Sequence, residues 1–262
     1  MRALEDATTL PGAGLRLDGL AVVVTGASSG FGSQLAEALD SAGASLTLVA
    51  RRADRIDELA GRLRDALPVV ADVGDPATPD RVVSETLARF DRIDGLVNNA
   101  GITNVEPALR ESTDDFRNIL DINLVAPFAL SRAAALAMRD RGGGSIVNVA
   151  SLVGLKSIQP LPEAGYAASK AGLIGLTREL ATQWARYAVR VNAIAPGGFS
   201  TEMTDDTFEA QGALGAYVRS RVPLGRQGRA GELDSLVRML LHPSSSYLTG
   251  QVIAVDGGQT AC

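Results

Sequence analysis

The sequence predicts an α/β chain folded around a parallel, doubly wound sheet, and three observations carry that expectation. Short runs rich in Val, Ile and Leu recur without polar alternation, as strands buried on both faces require. Helical stretches separate them at regular intervals, so right-handed βαβ crossovers are the expected connections. The first apolar run leads straight into a glycine-rich turn and a helix start.

Taken in order, the first 15 residues contain Glu5, Asp6 and the turn-forming Pro11-Gly12-Ala13-Gly14. They suit neither a targeting leader nor a regular element, so a poorly ordered extension is expected ahead of a single domain over 16–262. Leu20–Thr25 is the first strand, Gly26–Gly32 the turn, and Ser33–Ala42 the first helix. Ala44–Ala50, Ala66–Ala71 and Ile93–Asn98 read as strands two to four, with helices over Ala53–Asp65 and Thr78–Phe90 between them. Thr113–Arg139 is one long helical segment in which Pro127 should produce a kink or break. Gly144–Ala150 is strand five, Tyr166–Tyr187 a helix and Val189–Ile194 strand six. Helix-rich sequence fills Thr201–Leu241, and Gln251–Asp256 is the seventh strand.

Composition narrows the function classes. The chain has 262 residues, 46% of them hydrophobic, and a net charge of −5, so it offers a sizeable core and no basic footprint for nucleic acid. One histidine and one cysteine cannot build a His/Cys metal cluster, and Cys262 has no internal partner for a disulfide. His242, just before Pro243, reads as a surface or capping histidine rather than a catalytic one. No unbroken apolar run approaches the roughly 18 residues of a membrane span, so a soluble, cytoplasmic protein acting on a small molecule is expected.

The chemistry-bearing residues begin with Tyr166 and Lys170. Among 25 basic residues only Lys156 and Lys170 are lysines, and Lys170 follows a tyrosine by four. In a helix that spacing puts both side chains on one face. A cation about 4–6 Å from a phenol favours the phenolate, bringing a group with pKa near ~10 towards the range of acid–base catalysis. An exposed helical pair without a role has the same spacing, so the pair alone does not decide.

The turn Gly26-Ala-Ser-Ser-Gly30-Phe-Gly32 sits between strand and helix, the context that makes a glycine pattern a dinucleotide site. Gly26 permits the tight turn, while Gly30 and Gly32 let backbone and helix N-terminus approach a pyrophosphate. At the end of the second strand, where an acidic residue usually meets the adenosine ribose, the chain has Ala50 and then Arg51-Arg52. The missing carboxylate and present guanidinium favour a 2′-phosphate, hence NADP over NAD; Ser28 and Ser29 add no second charge beside the glycines. Other polar or small residues fall beyond the carboxyl ends of later strands: Asn98 to Gly101, Ser151, and Pro196-Gly197. Asn123 lies amid Ile122, Leu124 and Val125, where a polar side chain is costly unless paired.

On Thr25-Gly-Ala-Ser-Ser-Gly-Phe-Gly32, Asp72, Asn98-Asn-Ala-Gly101, Asn123, Ser151, Tyr166-x-x-x-Lys170 and Pro196-Gly197 with Thr201, the chain resembles the classical short-chain dehydrogenase/reductase family over about residues 20–258. The resemblance implies a Rossmann-like, seven-stranded parallel sheet of order 3-2-1-4-5-6-7. It implies hydride transfer between NADP or NAD and a secondary alcohol or ketone. Tyr166 would be the acid/base, Lys170 would lower its pKa and hold the nicotinamide ribose, Ser151 would hold the substrate oxygen, and Asn123 would help hold a water behind Lys170. Cofactor contacts would come from Thr25, Gly26, Ser28, Ser29, Gly30, Phe31 and Gly32 in the turn. Further contacts would be Arg51, Arg52, Asp72, Val73, Asn98, Ala100 and Gly101, then Pro196, Gly197, Phe199 and Thr201. No metal is called for.

The chain departs from the family pattern in two places. The interval from Ser151 to Tyr166 is somewhat long and carries Lys156, which would meet an anionic substrate group or else be a solvated loop lysine. Phe31 replaces a more usual aliphatic residue. Residues 198–224 would form a substrate lid, and the small and apolar residues of the Tyr166–Tyr187 helix suit the family's homotetramer. A 3-oxoacyl thioester reductase and a gluconate 5-dehydrogenase-like sugar-acid dehydrogenase both remain compatible. From other classes, a nicotinamide-binding protein without turnover is disfavoured by the complete catalytic set, and an epimerase or dehydratase by the short chain.

Overall fold

A computed structural model of the protein describes residues 14–158, 161–199 and 220–261. The expected extension lies outside the described residues except at its last two positions, as does most of the expected lid. Seven strands are described: β1 (Ala21–Thr25), β2 (Ser45–Ala50), β3 (Ala66–Val70), β4 (Gly95–Asn98), β5 (Gly144–Val149), β6 (Val189–Pro196) and β7 (Val252–Val255). They form one parallel sheet in the order β3-β2-β1-β4-β5-β6-β7, as the resemblance implied.

Neighbouring residues on a strand point to opposite faces, and the two faces carry separate cores. Val22, Val24, Val97 and Val147 point to the face covered by α1 (Gly30–Ala42), α2 (Ala53–Arg62) and α7 (Asp234–Leu241). Val23, Leu96 and Ile146 point to the other, covered by α3 (Thr78–Phe90), α5 (Ala126–Arg139) and α6 (Ala164–Trp184). Both faces being covered explains why the strand sequences do not alternate. β1 pairs with β2 on one side and β4 on the other, so chain order reverses at β1, and the crevice beyond the carboxyl ends of β1 and β4 is the switch point of the sheet.

Boundaries shift where local sequence is ambiguous. Gly30 and Gly32 belong to the first turn of α1 rather than preceding it, and α6 starts two residues ahead of Tyr166. Of the helix-rich stretch 201–241, residues 201–219 lie outside the described residues. His242 caps a short 3-10 turn, its Nδ1 accepting the Ser244 N–H at 3.1 Å.

The long crossover between β4 and β5 changes helix type just ahead of Pro127. α4 (Thr113–Leu120) passes into a π turn at Asp121–Val125 and then into α5, with Pro127 the second residue of α5. Proline has no N–H to donate, so the disturbance falls on the turn before it. No unbroken apolar run of 18 residues occurs, as expected, but one 18-residue window within Thr113–Arg139 is apolar enough on average to cross a membrane. In this fold the segment packs on α3, α6 and the sheet; Ile119, Leu130, Ala134 and Met138 are buried, while Val125, Phe128 and Leu136 are exposed.

Candidate active site

The cofactor end is held together by hydrogen bonds between two loops. Thr25 Oγ1 accepts the backbone N–H groups of Asn99 and Ala100, each at 3.0 Å, and donates to the Val97 carbonyl. Asn99 Nδ2 donates back to the Thr25 carbonyl at 2.9 Å and to that of Gly26 at 3.4 Å. Asn99, passed over in the sequence in favour of Asn98, Ala100 and Gly101, is therefore the residue that ties the loop after β4 to the glycine turn. Thr25 is buried and acts as a clasp.

The glycine cradle is tight below and open above. Gly26 has φ +67, and a Cβ there would lie 2.9 Å from both Asn99 Nδ2 and the Ala100 Cα. A Cβ on Gly32 would run into the Gly26 carbonyl, whereas one on Gly30 would meet nothing. The N–H groups at the start of α1 therefore border a space free of side chains, which fits a pyrophosphate. A Gly32→Ala substitution forces backbone against backbone and should weaken nicotinamide binding about tenfold or more. Fluorescence titration checks this; unchanged affinity would show that the turn can relax.

Two arginines follow β2, and they behave differently. Arg52 lies on the glycine turn, its Nη2 donating to Ser29 Oγ at 2.6 Å and Ser28 Oγ at 3.0 Å. Arg51 is largely exposed, with Nη1 3.8 Å from Asp72 Oδ2. The turn thus has a positive charge beside it after all, brought by a side chain from the next strand. Asp72 Oδ1 accepts the Gly74 N–H at 3.0 Å, and Val73 borders a small crevice with Thr25, Asn98, Ala100 and Ile122.

The reacting end comes from β5, the π turn and α6. Ser151 begins a 3-10 turn (Leu152–Gly154) directly after β5, and a Cβ on Gly154 would lie 2.8 Å from the Lys170 backbone. That close approach lays the turn against α6; Ser151 Oγ accepts the Val153 N–H at 3.4 Å, and the Ser151 hydroxyl near the phenol pulls the Tyr166 pKa down. Burial outweighs this and, with the nearby Glu163 charge adding to it, pushes the phenol up to about 12. Lys170 is 3% exposed, donates from Nζ to the Val149 carbonyl at 2.8 Å, and sits 5.6 Å from the centre of the Tyr166 ring. Burial pulls its pKa down to about 8. The expected depression of the Tyr166 pKa is therefore not what this structure has. The helical spacing brings the pair together as expected, but desolvation of the phenol dominates.

Asn123 is fully buried in the π turn, and its side chain is satisfied. Oδ1 accepts the Ile102 N–H at 2.8 Å, while Nδ2 donates to the Ile102 carbonyl at 2.8 Å and to Ser169 Oγ at 3.0 Å. It anchors the loop after Gly101 to α6, and a Cβ on Gly101 would lie 3.2 Å from Asn123 Oδ1 and 3.5 Å from Lys170 Nζ. Asn98 differs from the expectation: its Nδ2 donates to Ser131 Oγ and Asn148 Oδ1, both at 2.8 Å, so its side chain braces the core.

Gly197 follows β6, and a Cβ there would lie 2.8 Å from the Asp256 Cα, so Pro196-Gly197 is pressed against the end of β7. Phe31 meets Phe199 edge-on, ring centres 5.2 Å apart, so the unusual residue in the glycine turn packs on the strand-six loop. Lys156 Nζ donates to the Gln259 carbonyl at 2.7 Å, tying its loop to the C-terminal segment. Thr201 lies outside the described residues.

A dinucleotide cradle and a Ser-Tyr-Lys cluster at the switch point of a parallel sheet define a nicotinamide-dependent oxidoreductase. A family model described as enoyl-(acyl carrier protein) reductase matches residues 26–260. The chain is 38% identical to the L-tagatose-forming galactitol 2-dehydrogenase of Cereibacter sphaeroides, over 94% of this chain and 96% of that one. It is 36% identical to the 3-oxoacyl-acyl-carrier-protein reductase of Salmonella typhimurium, over 93% and 98%. The crystal structure of a gluconate 5-dehydrogenase from Burkholderia cenocepacia in complex with NADP and tartrate superposes with a TM-score of 0.88 at 34% identity, covering 95% of this chain and 98% of that one. The chain belongs to the short-chain dehydrogenase/reductase family.

Proposed function

We propose that the protein transfers hydride between NADP(H) and a secondary alcohol or ketone, with Tyr166 as the proton-transfer group. The carrying observation is that Tyr166 and the buried Lys170 sit one turn apart at the start of α6, Nζ 5.6 Å from the ring centre, against the turn that begins at Ser151. In the reducing direction Tyr166 gives its proton to the carbonyl oxygen while the Ser151 hydroxyl steadies that oxygen. A phenol pushed up to about 12 is fully protonated at neutral pH, the state a donor needs. In the oxidising direction the phenol accepts the alcohol proton, and Lys170 favours the charged form electrostatically. The glycine turn, Arg51 and Arg52 would hold the dinucleotide, and the bound nicotinamide supplies or takes up the hydride.

Absorbance of reduced nicotinamide across a panel of secondary alcohols, polyols, ketones and 3-oxoacyl thioesters tests the reading. Cofactor binding without turnover of any of them would sink it. For the NADP preference, Arg52→Ala should weaken NADP binding about tenfold or more and NAD binding little, because only the former carries a 2′-phosphate. Arg51→Ala should act in the same direction but less, given its exposure. Equal losses for both dinucleotides would make Arg52 a support of the turn rather than a phosphate ligand.

A further inference from the structure

Glu163 immediately precedes α6, the helix of Tyr166 and Lys170, yet its carboxylate does not cap that helix. Glu111 serves there instead, its Oε2 accepting the Gly165 N–H at 3.2 Å. Glu163 turns to the opposite wall, where Oε1 accepts the Thr103 hydroxyl at 3.2 Å. A backbone bridge between Glu106 and Glu163 holds this wall, the loop after Gly101, against the segment leading into α6. A carboxylate is thus placed three residues before the reacting phenol, near enough for its charge to act on Tyr166. The partly buried position disfavours its ionised form, a cost that a surface loop residue would escape.

We propose that Glu163 is a specificity-determining residue that selects an uncharged, hydroxyl-bearing substrate. Its carboxylate accepts a substrate hydroxyl beside the reacting carbon and repels analogues that carry a carboxylate there. A neutral polyol donates hydrogen bonds to such a group, whereas a sugar acid brings a like charge into a partly desolvated space. The one cation in the Ser151–Tyr166 interval, Lys156, is drawn to the Gln259 carbonyl. This deepens the functional reading above and rests on Tyr166 being the proton-transfer group.

The test compares matched pairs, a hexitol with its hexonate and a vicinal diol with the corresponding dihydroxy acid, in wild type, Glu163→Gln and Thr103→Val. Cofactor titration verifies that each protein is folded. Wild type should favour the neutral member at least about tenfold in kcat/KM, and Glu163→Gln should bring that ratio near one, mainly through a lower KM for the acid. Thr103→Val, which keeps the charge, should preserve the preference.

A purely structural role would leave pH behaviour alone. Loss of the Glu163 charge should move the rising limb of alcohol oxidation to lower pH, since that charge raises the Tyr166 pKa. The other charged groups around this wall, Glu106, Glu111, Arg110 and Lys170, stay in place. An acid turned over as well as its neutral partner, an unchanged ratio in Glu163→Gln, or equal narrowing by Thr103→Val overturns the proposal alone. Turnover of simple alcohols but of no polyol does so too. Failure of every alcohol and ketone would remove the underlying reading as well.

Discussion

Replacing Tyr166 by phenylalanine is expected to lower kcat by about 10²–10⁴-fold while leaving nicotinamide affinity within a few-fold of wild type. The substitution removes one oxygen, the one that would carry the transferred proton, and leaves the ring in contact with α6 and Lys170. Stability should fall by only about 1 kcal/mol, because the ring stays and what is lost is the polar interaction of one hydroxyl. Steady-state kinetics beside a cofactor titration separate the two effects. Wild-type turnover in the variant would assign the proton to another group.

The second large effect is expected at Lys170. Its pKa is about 8 in the folded protein against 10.5 unfolded, so a native state at neutral pH keeps an ammonium where burial opposes it. That difference amounts to something on the order of 3 kcal/mol against folding. The destabilisation is full below pH 8 and fades as pH rises to 10.5, because there the unfolded chain binds the proton and the folded one does not. Tyr166 acts oppositely in the next window: its contribution is full below pH 10 and is lost as pH climbs through about 12.

Wild type should therefore gain stability between pH 8 and 10.5, and Lys170→Met should be flat there. At pH 7 the variant should be roughly 1–3 kcal/mol more stable than wild type, less whatever the Val149 carbonyl loses as its donor goes. Turnover should nevertheless collapse. Urea denaturation at pH 7 and pH 10 reads the first part and kinetics the second. A variant less stable at both pH values would mean that the bond to Val149 outweighs the burial of charge.

Much of this molecule can be read from its residues. The unalternating strands, the glycine turn between strand and helix, and the Tyr166–Lys170 spacing are local patterns, and each is in place. Asn123, Ser151, Tyr166 and Lys170 come together from three separate elements because each sits at the strand end or helix turn that the parallel topology brings to one edge.

What could not be read depends on packing. Spacing places a lysine near a phenol but says nothing of how dry the phenol is, so the pKa expectation ran the wrong way. Asn98 and Asn99 are adjacent and chemically identical; only the direction of the chain leaving β4 sends one into the core and the other to the glycine turn. Arg52 reaches Ser28 and Ser29 across more than twenty residues, and Glu163 is freed from capping α6 by a glutamate more than fifty residues away. Only the doubled asparagine left a local mark that could have been followed further.

The π turn ahead of Pro127 has a consequence for how this chain can vary. Counted as plain α-helix, Phe116, Ile119, Leu130 and Ala134 would fall on one stripe, since both 116 to 134 and 119 to 130 are close to whole numbers of turns. The extra residue in the π turn rotates everything beyond it by about 100°. Phe116 and Ile119 accordingly lie against Gly165 in α6, while Leu130 and Ala134 join the core with the sheet and α3. A single helix thus docks on two neighbours with one repeating pattern, Asn123 standing at the change of phase. Deleting any one residue from 121–125 would put the halves back in phase and pull one of them off its partner. In this segment, residue count matters more than the identity of most side chains.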